Sequence, residues 1–185
     1  MIIFLFFSTI VLSIYLAVFL WLVFYFFREL KQTLSWYGIP FVPTSDHKLE
    51  RFLDSVKLNS GQAFLDIGCW DGKILHAIEI RFPWVRTVWF EKSSHPYGLA
   101  IKRKEKYWCK YEVSKTDFFK SDIHDIDVIY SYMLSYLMEK IWKKIKSECR
   151  SWTILYSNSF PIPGVPIYET LIFDKDQSIY VYVVE

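Results

Sequence analysis

The longest apolar stretch of the chain lies at its amino end. Residues 2–27 contain no charged side chain, and only Ser8, Thr9 and Ser13 interrupt the aliphatic and aromatic positions. A helix needs roughly 20 apolar residues to cross the hydrocarbon core of a bilayer. A cleaved signal peptide would show a basic start, a shorter apolar core and a small-residue cleavage site, and this stretch has none of them. The pattern therefore predicts one transmembrane helix that contacts the lipid bilayer through residues 2–27.

The charges that flank this stretch predict its orientation. Arg28 and Lys31 follow it at once, whereas only the terminal amine precedes it. Cytoplasmic flanks carry the excess of Lys and Arg. We therefore expect a single-pass membrane protein with its amino terminus outside and the remainder in the cytoplasm. The expected organisation is an anchor over 1–28, a juxtamembrane segment over 29–45 and a folded domain over 46–185.

Beyond the anchor, short apolar runs alternate with helical patterns. This alternation predicts an α/β fold with a mostly parallel sheet. Only four residues, 174–177, join the last two runs, which favours an antiparallel hairpin at the carboxyl end. The predicted strands are 63–67, 87–91, 107–113, 126–132, 152–156, 167–173 and 178–184, and the predicted helices are 46–56, 73–82, 96–106 and 135–149.

Composition narrows the function classes. The chain has 22 Lys and Arg against 20 Asp and Glu, a formal net charge of +2, which argues against a dedicated nucleic-acid binder. The three cysteines are widely spaced, and the four histidines do not cluster in the sequence. A metal site needs three or four converging ligands, so we expect neither a metal nor a nucleic-acid partner.

Three acids follow three successive predicted strands: Asp66, Glu91 and Asp117. Ligands of open α/β sheets bind beyond the carboxyl ends of the strands, and an acid after the second strand can accept hydrogen bonds from a ribose. Each acid alone is better explained by helix capping or a solvated turn, but three together favour a site. The G-x-G-x-x-G spacing of dinucleotide sites is absent, which favours S-adenosylmethionine (SAM). The candidate cofactor-binding residues are Asp66, Gly68, Cys69, Trp70, Gly72, Glu91 and Asp117.

Residues 64–73, FLDIGCWDGK, resemble motif I of class I SAM-dependent methyltransferases. The chain is most similar to the ATP synthase c subunit lysine N-methyltransferase family and its prokaryotic relatives. The apolar amino end, the segment PFVPTS at 40–45, which resembles the pre-methyltransferase motif of the family, and SNSFPIPG at 157–164 carry the likeness. The chain departs from the family at Trp70, where the family has glycine, and at 92–96.

The resemblance implies a Rossmann-like class I methyltransferase sheet and transfer of a methyl group from SAM to a protein lysine. An ATP synthase c subunit is the candidate protein substrate. The lysine must be neutral to react, and aromatic walls both desolvate it and hold a methylated ammonium. These aromatics are individually as well explained by core packing. The candidate pocket residues are Pro43, Thr44, Ser45, Tyr130, Tyr132, Phe160 and Pro161.

Two other functions fit the same residues. A SAM-dependent enzyme that methylates a lipid, a quinone or another small molecule would have the same sheet and the same acids. A non-catalytic membrane-anchored scaffold on a degenerate methyltransferase fold would explain Trp70. The basic stretch 102–106 is better explained by a solvated helix face than by contact with anionic lipid headgroups.

Overall fold

The apolar amino end forms one long helix, α1 (Ile2–Ser35), in the computed structural model, which describes residues 2–35, 43–174 and 177–185. Its segment Phe7–Arg28 has a mean hydropathy of 2.5, and none of that segment is buried. The helix is therefore long and apolar enough to cross a membrane. A signal sequence near an amino terminus would meet the same two criteria.

The remainder of the chain is a separate unit that begins at residue 41. Ser45 caps its first helix, since its Oγ accepts the Lys48 N–H at 3.3 Å. The predicted residues Pro40, Phe41 and Val42 lie outside the described residues. The elements are α2 (Asp46–Ser55), β1 (Ala63–Ile67), α3 (Lys73–Arg81), β2 (Arg86–Phe90), α4 (Ser94–Tyr107), β3 (Glu112–Ser114), a short 3₁₀ helix (Phe118–Lys120), β4 (Val128–Ser131), α5 (Ser135–Glu148), β5 (Ile154–Asn158), β6 (Glu169–Asp174) and β7 (Gln177–Val183).

The strands form one sheet in the order β3-β2-β1-β4-β5-β7-β6. The first five strands are parallel, and β7 pairs antiparallel with both β5 and β6. The predicted mostly parallel sheet with an antiparallel carboxyl-terminal hairpin is confirmed. The direction of chain progression reverses between β1 and β4, where Asp66 is opposite Tyr130. This switch point is where open α/β sheets bind their ligands.

The core packs α2 against the middle of the sheet. Leu49, Phe52 and Leu53 are buried, at the helical spacing that the sequence shows. The Phe52 ring lies 4.8 Å from the Tyr130 ring and 5.4 Å from the Tyr156 ring. This packing places the start of α2 beside the strands that flank the switch point.

At two turns, a tryptophan with a left-handed backbone shifts the element boundaries away from the prediction. α4 continues through Tyr107 and ends at Trp108, whose left-handed backbone (φ 56°) closes the helix. The third strand is therefore Glu112–Ser114 rather than 107–113. Trp152 also has a positive φ of 73°, so β5 begins at Ile154, two residues later than predicted.

Candidate functional site

Asp66 is a buried carboxylate at the switch point. Its side chain is 2% exposed, and its Oδ2 has no hydrogen-bond partner among the described residues. Burial raises the pKa of Asp66 to about 7, although the Cys69 thiol, which donates a hydrogen bond to it, opposes the shift. A buried carboxyl oxygen without a hydrogen-bond partner is destabilising. A cationic ligand with hydrogen-bond donors would supply the missing partner, so Asp66 fits the charge of SAM.

The turn between β1 and α3 is shaped for a close approach of its backbone. Gly68 and Gly72 have φ values of 83° and 78°, in the left-handed region that favours glycine. A Cβ at Gly72 would lie 2.8 Å from the Tyr111 hydroxyl, and one at Gly68 would lie 2.7 Å from Met133 Sδ. Both glycines therefore let side chains of the protein itself pack closely against the turn, where a Cβ would clash with them.

Trp70 adopts the backbone conformation that the glycine of the family would adopt readily. Its φ is 54°, and its side chain is half-buried. The left-handed backbone at this position of the turn is thus carried by a tryptophan, where motif I has glycine. The difference lies in the indole that the turn now carries.

One basic side chain of α4 holds this turn, and a second binds the segment that precedes β3. Arg103 donates from Nη2 to Asp71 Oδ2 and from Nε to the Asp71 carbonyl, both at 2.6 Å. Lys104 donates to the Tyr111 carbonyl at 2.6 Å. The basic stretch 102–106 is therefore not simply a solvated face, because these two residues bind the protein itself.

Glu91 and Asp117 lie at the same edge of the sheet as Asp66. Glu91 directly follows β2, its Oε1 accepts the Ser93 N–H at 2.6 Å, and burial raises the pKa of its carboxyl. Asp117 caps the 3₁₀ helix by accepting the Phe119 N–H at 3.0 Å, and it pairs with Lys92 at 3.5 Å. Asp117 thus has the helix-capping role that would, by itself, explain an acid after a strand. The parallel neighbours β1, β2 and β3 bring all three predicted acids to one edge.

The predicted pocket residues divide into a buried network and exposed walls. Asn158 donates from Nδ2 to the Tyr130 hydroxyl at 2.7 Å, and Thr44 Oγ1 lies 3.4 Å from that hydroxyl. Tyr130 is 1% exposed, so it supports the pocket from below. The half-exposed rings of Tyr132 and Phe160 lie 6.3 Å apart. The remaining candidates, Pro43, Ser45 and Pro161, are exposed.

Two lysines that the sequence did not single out also lie here. Lys73, the first residue of α3, donates to the Thr44 carbonyl at 2.6 Å and pairs with Asp46 at 2.7 Å. Lys48 on α2 donates to Ser159 Oγ at 3.1 Å. Both lysines stand among charged residues in the sequence, where a solvated position is the default.

The sequence of the chain is similar to those of known methyltransferases. A protein-family model described as the ANTKMT methyltransferase domain matches residues 66–169. A protein-lysine N-methyltransferase of Saccharolobus islandicus is 25% identical over 151 residues, which cover 79% of this chain and 94% of that protein.

Solved structures share the fold at low sequence identity. An RNA methyltransferase from Salinibacter ruber, in complex with S-adenosyl-L-homocysteine, is similar with a TM-score of 0.70 and 20% identity, over 77% of this chain and 94% of that one. A methyltransferase from Pyrococcus furiosus is similar with a TM-score of 0.59 and 11% identity, over 78% and 87% of the two chains.

Proposed function

The chain belongs to the family of the ANTKMT methyltransferase domain, and on this premise we propose that it transfers methyl groups from SAM to a lysine of a membrane-associated protein. Membership makes the chain a SAM-dependent methyltransferase. The family resemblance, the class I fold, the enzyme class and the cofactor that the sequence predicts are thereby confirmed. The methyl acceptor and the membrane location are the parts that we propose.

The observation that carries the lysine acceptor is the match to the Saccharolobus islandicus protein-lysine N-methyltransferase. That match covers nearly all of the relative and most of this chain, so it extends well beyond the cofactor turn. The sequence identity is 25%. The acceptor is therefore inferred from the whole domain rather than from one motif.

The residues that would hold SAM line the carboxyl edge of β1, β2 and β3. Asp66 would accept hydrogen bonds from the cationic methionine portion, Glu91 from the ribose and Asp117 from the adenine. Gly68 and Gly72 let the turn follow its left-handed path while Met133 and Tyr111 pack against it. When bound, SAM supplies an electrophilic methyl group on a sulfonium. The protein's task is then to orient the acceptor amine in line with that group.

The acceptor side of the site would favour the neutral form of the substrate amine. A free lysine has a pKa near 10.4, so its deprotonation at pH 7 costs roughly 4–5 kcal/mol. The rings of Tyr132 and Phe160 would exclude water from the entering ammonium and lower its pKa. Their faces would then hold the methylated ammonium by cation–π contact. Pro43, Ser45 and Pro161, which are exposed, would contact the substrate chain around the lysine.

The proposed membrane location rests on α1 and its flanking charges. The segment Phe7–Arg28 would span the bilayer, with Arg28 and Lys31 on the cytoplasmic side. Tethering would raise the effective concentration of the enzyme at a membrane-embedded target. An ATP synthase c subunit, the acceptor that the sequence resemblance implies, meets that description.

The experiment is a methyl-transfer assay in membranes that contain the full chain. With tritiated SAM, we expect label on a membrane protein other than the enzyme itself, at a lysine that mass spectrometry then identifies. Membranes with Asp66→Asn, whose cofactor site lacks the carboxylate, should stay unlabelled. Label that partitions into organic solvent with the lipids would instead identify a lipid or quinone acceptor.

A further inference from the structure

Two lysines are buried among the described residues, and their surroundings are opposite. Lys144 on α5 is 9% exposed, donates to the Ser121 carbonyl at 2.7 Å and pairs with Glu148 at 2.6 Å. Lys48 on α2 is 6% exposed, and no carboxylate of the described residues lies within ion-pair distance of its Nζ. Lys144 is a satisfied structural lysine. Lys48 carries an amine into the protein without a counter-ion among the described residues.

Several features make the position of Lys48 unfavourable for an ammonium. Desolvation by burial lowers its pKa. It lies in the first turn of α2, where the partial positive charge of the helix end disfavours a cation. Its one hydrogen-bond partner among the described residues, Ser159, has a left-handed backbone with a φ of 67°, which is strained for a non-glycine residue. Strain and a desolvated amine at one place are typical of a functional site.

The Lys48 amine faces the acceptor side of the pocket. Its Nζ lies 5.9 Å from the centre of the Tyr132 ring, which directly follows β4. Its partner Ser159 directly follows β5. The strand β4 lies beside β1, whose carboxyl end opens the cofactor turn, and Met133 packs against Gly68 of that turn. The amine thus lies on the acceptor side of the cofactor edge, against one of the two aromatic walls.

The start of α2 is fixed in this position. Lys73 of α3 binds both the Thr44 carbonyl and Asp46, and Thr44 lies against the Tyr130 hydroxyl. The segment that carries Lys48 is therefore held from the cofactor turn and from β4. An amine on a fixed helix at this edge has a high effective concentration relative to any external lysine.

We propose that Lys48 is an internal methyl acceptor, which the protein methylates at its own active site. The neutral Nζ attacks the methyl carbon, so that an N–C bond forms while the S–C bond of SAM breaks. The electron pair of that bond stays on sulfur, S-adenosylhomocysteine leaves, and the methylammonium releases a proton to water. This reaction goes beyond the proposed function, since it needs the cofactor site but no external substrate.

The experiment is the mass of the full chain in detergent or lipid discs after incubation with SAM and no other protein. We expect a gain of one or more methyl groups, which a protease that does not cut at lysine maps to the peptide with Lys48. Lys144 is the matched buried lysine within the same sample and should stay unmodified. Lys48→Arg should lose the gain, and so should Asp66→Asn.

The route of transfer is tested by dilution and mixing. An internal transfer proceeds at a rate that does not depend on protein concentration. Unlabelled full-length Asp66→Asn protein, which retains Lys48, should gain no methyl group when it is mixed with active wild-type protein that is distinguished by ¹⁵N labelling. A gain on the unlabelled Asp66→Asn chain would overturn the internal route.

A second measurement needs no turnover. The protein is labelled with ¹³C at lysine Cε, and the Lys48 resonance is assigned as the one that is absent from Lys48→Arg. This resonance should shift on addition of S-adenosylhomocysteine, while that of Lys144 should not. An unshifted Lys48 resonance in a protein that binds the ligand overturns the proposal, as does a wild-type chain that gains no mass. Failure of the proposed function would appear separately, as Lys48 methylation without label on any other membrane protein.

Discussion

The burial of the Asp66 carboxyl makes the stability of the protein depend on pH. Its pKa is raised from 3.8 to about 7, chiefly by burial. Between about pH 4 and pH 7, the native state therefore keeps a proton on Asp66 that the unfolded state has released. Stability from this group is highest below pH 4, falls as the pH rises through the window and stays low above about pH 7.

We therefore expect Asp66→Asn to stabilise the protein at pH 8 and to weaken SAM binding. A shift of about three pKa units corresponds to roughly 4 kcal/mol, and Asn removes this cost because it never ionises. The free energy of unfolding of the two proteins should differ at pH 8 and converge near pH 4, while calorimetry shows at least a tenfold loss of SAM affinity in the variant.

Asp71 is the matched control in the same turn. Its carboxylate pairs with Arg103, so Asp71→Asn should destabilise the protein at pH 8 rather than stabilise it. A wild-type chain whose stability does not fall between pH 4 and pH 8 relative to Asp66→Asn would contradict the assignment.

Gly72 permits a second test at the residue scale. Gly72→Ala places a Cβ 2.8 Å from the Tyr111 hydroxyl, which is held by the Ala100 carbonyl at 2.7 Å. Gly61→Ala has the same left-handed backbone cost, about 1–2 kcal/mol, with no atom within 4 Å of its Cβ. Thermal unfolding should show Gly72→Ala to be less stable than Gly61→Ala by a further ~1–3 kcal/mol. Equal losses of stability in the two variants would mean that the Tyr111 side chain moves aside for the new Cβ at no cost in free energy.

At the scale of elements, the sequence predicted the strands and helices but not the order in which the hairpin joins the sheet. Four residues between the last two runs predict that β6 and β7 pair. Either strand of a hairpin can pair with β5, and tertiary packing places β7 there. The boundaries at Trp108 and Trp152 were missed because a left-handed backbone at a tryptophan leaves no pattern of apolar and polar positions.

The candidate site was predictable where residues are close in the sequence and hidden where they are not. The cofactor turn 66–72 and the acids after β2 and β3 follow from local patterns. The bond between Lys48 and Ser159 joins residues 111 positions apart, and that between Asn158 and Tyr130 joins residues 28 positions apart. A sequence indicates such partners only when the fold is already known.

The pair of Tyr130 and Asn158 connects β4 to β5 beneath the pocket. Tyr130→Phe leaves the buried Asn158 amide without its acceptor, which costs about 1–3 kcal/mol. Because the two side chains share one bond, Tyr130→Phe and Asn158→Leu together should destabilise the protein by less than the sum of the single variants. Chemical unfolding of the four proteins of the cycle measures this coupling.

Tyr111→Phe provides the control for that cycle. Its hydroxyl donates to the Ala100 carbonyl and shares no partner with Asn158. The losses from Tyr111→Phe and Asn158→Leu should therefore add. A cycle of Tyr130 and Asn158 that is equally additive would show that their hydrogen bond contributes nothing.

At the scale of the whole molecule, the proposed anchor gives a test that separates location from catalysis. A Lys at the centre of a membrane helix costs about 2.5–3.5 kcal/mol on insertion scales. Leu16→Lys with Leu20→Lys should therefore release the chain from membranes washed with alkaline carbonate, whereas wild type stays. Ile80→Lys with Ile172→Lys places the same charges on exposed aliphatic positions of the second unit and should leave the wild-type behaviour unchanged.

Release of the chain from the membrane should affect methylation of the membrane target and methylation of Lys48 differently. Methylation of a membrane target should fall by about 10²-fold or more, since the effective concentration is lost. Methylation of Lys48 should persist, because that amine travels with the active site. Removal of the amino end in cells would instead identify residues 2–27 as a signal sequence. A released variant that still methylates its membrane target at the wild-type rate would show that target recognition depends on the folded domain alone.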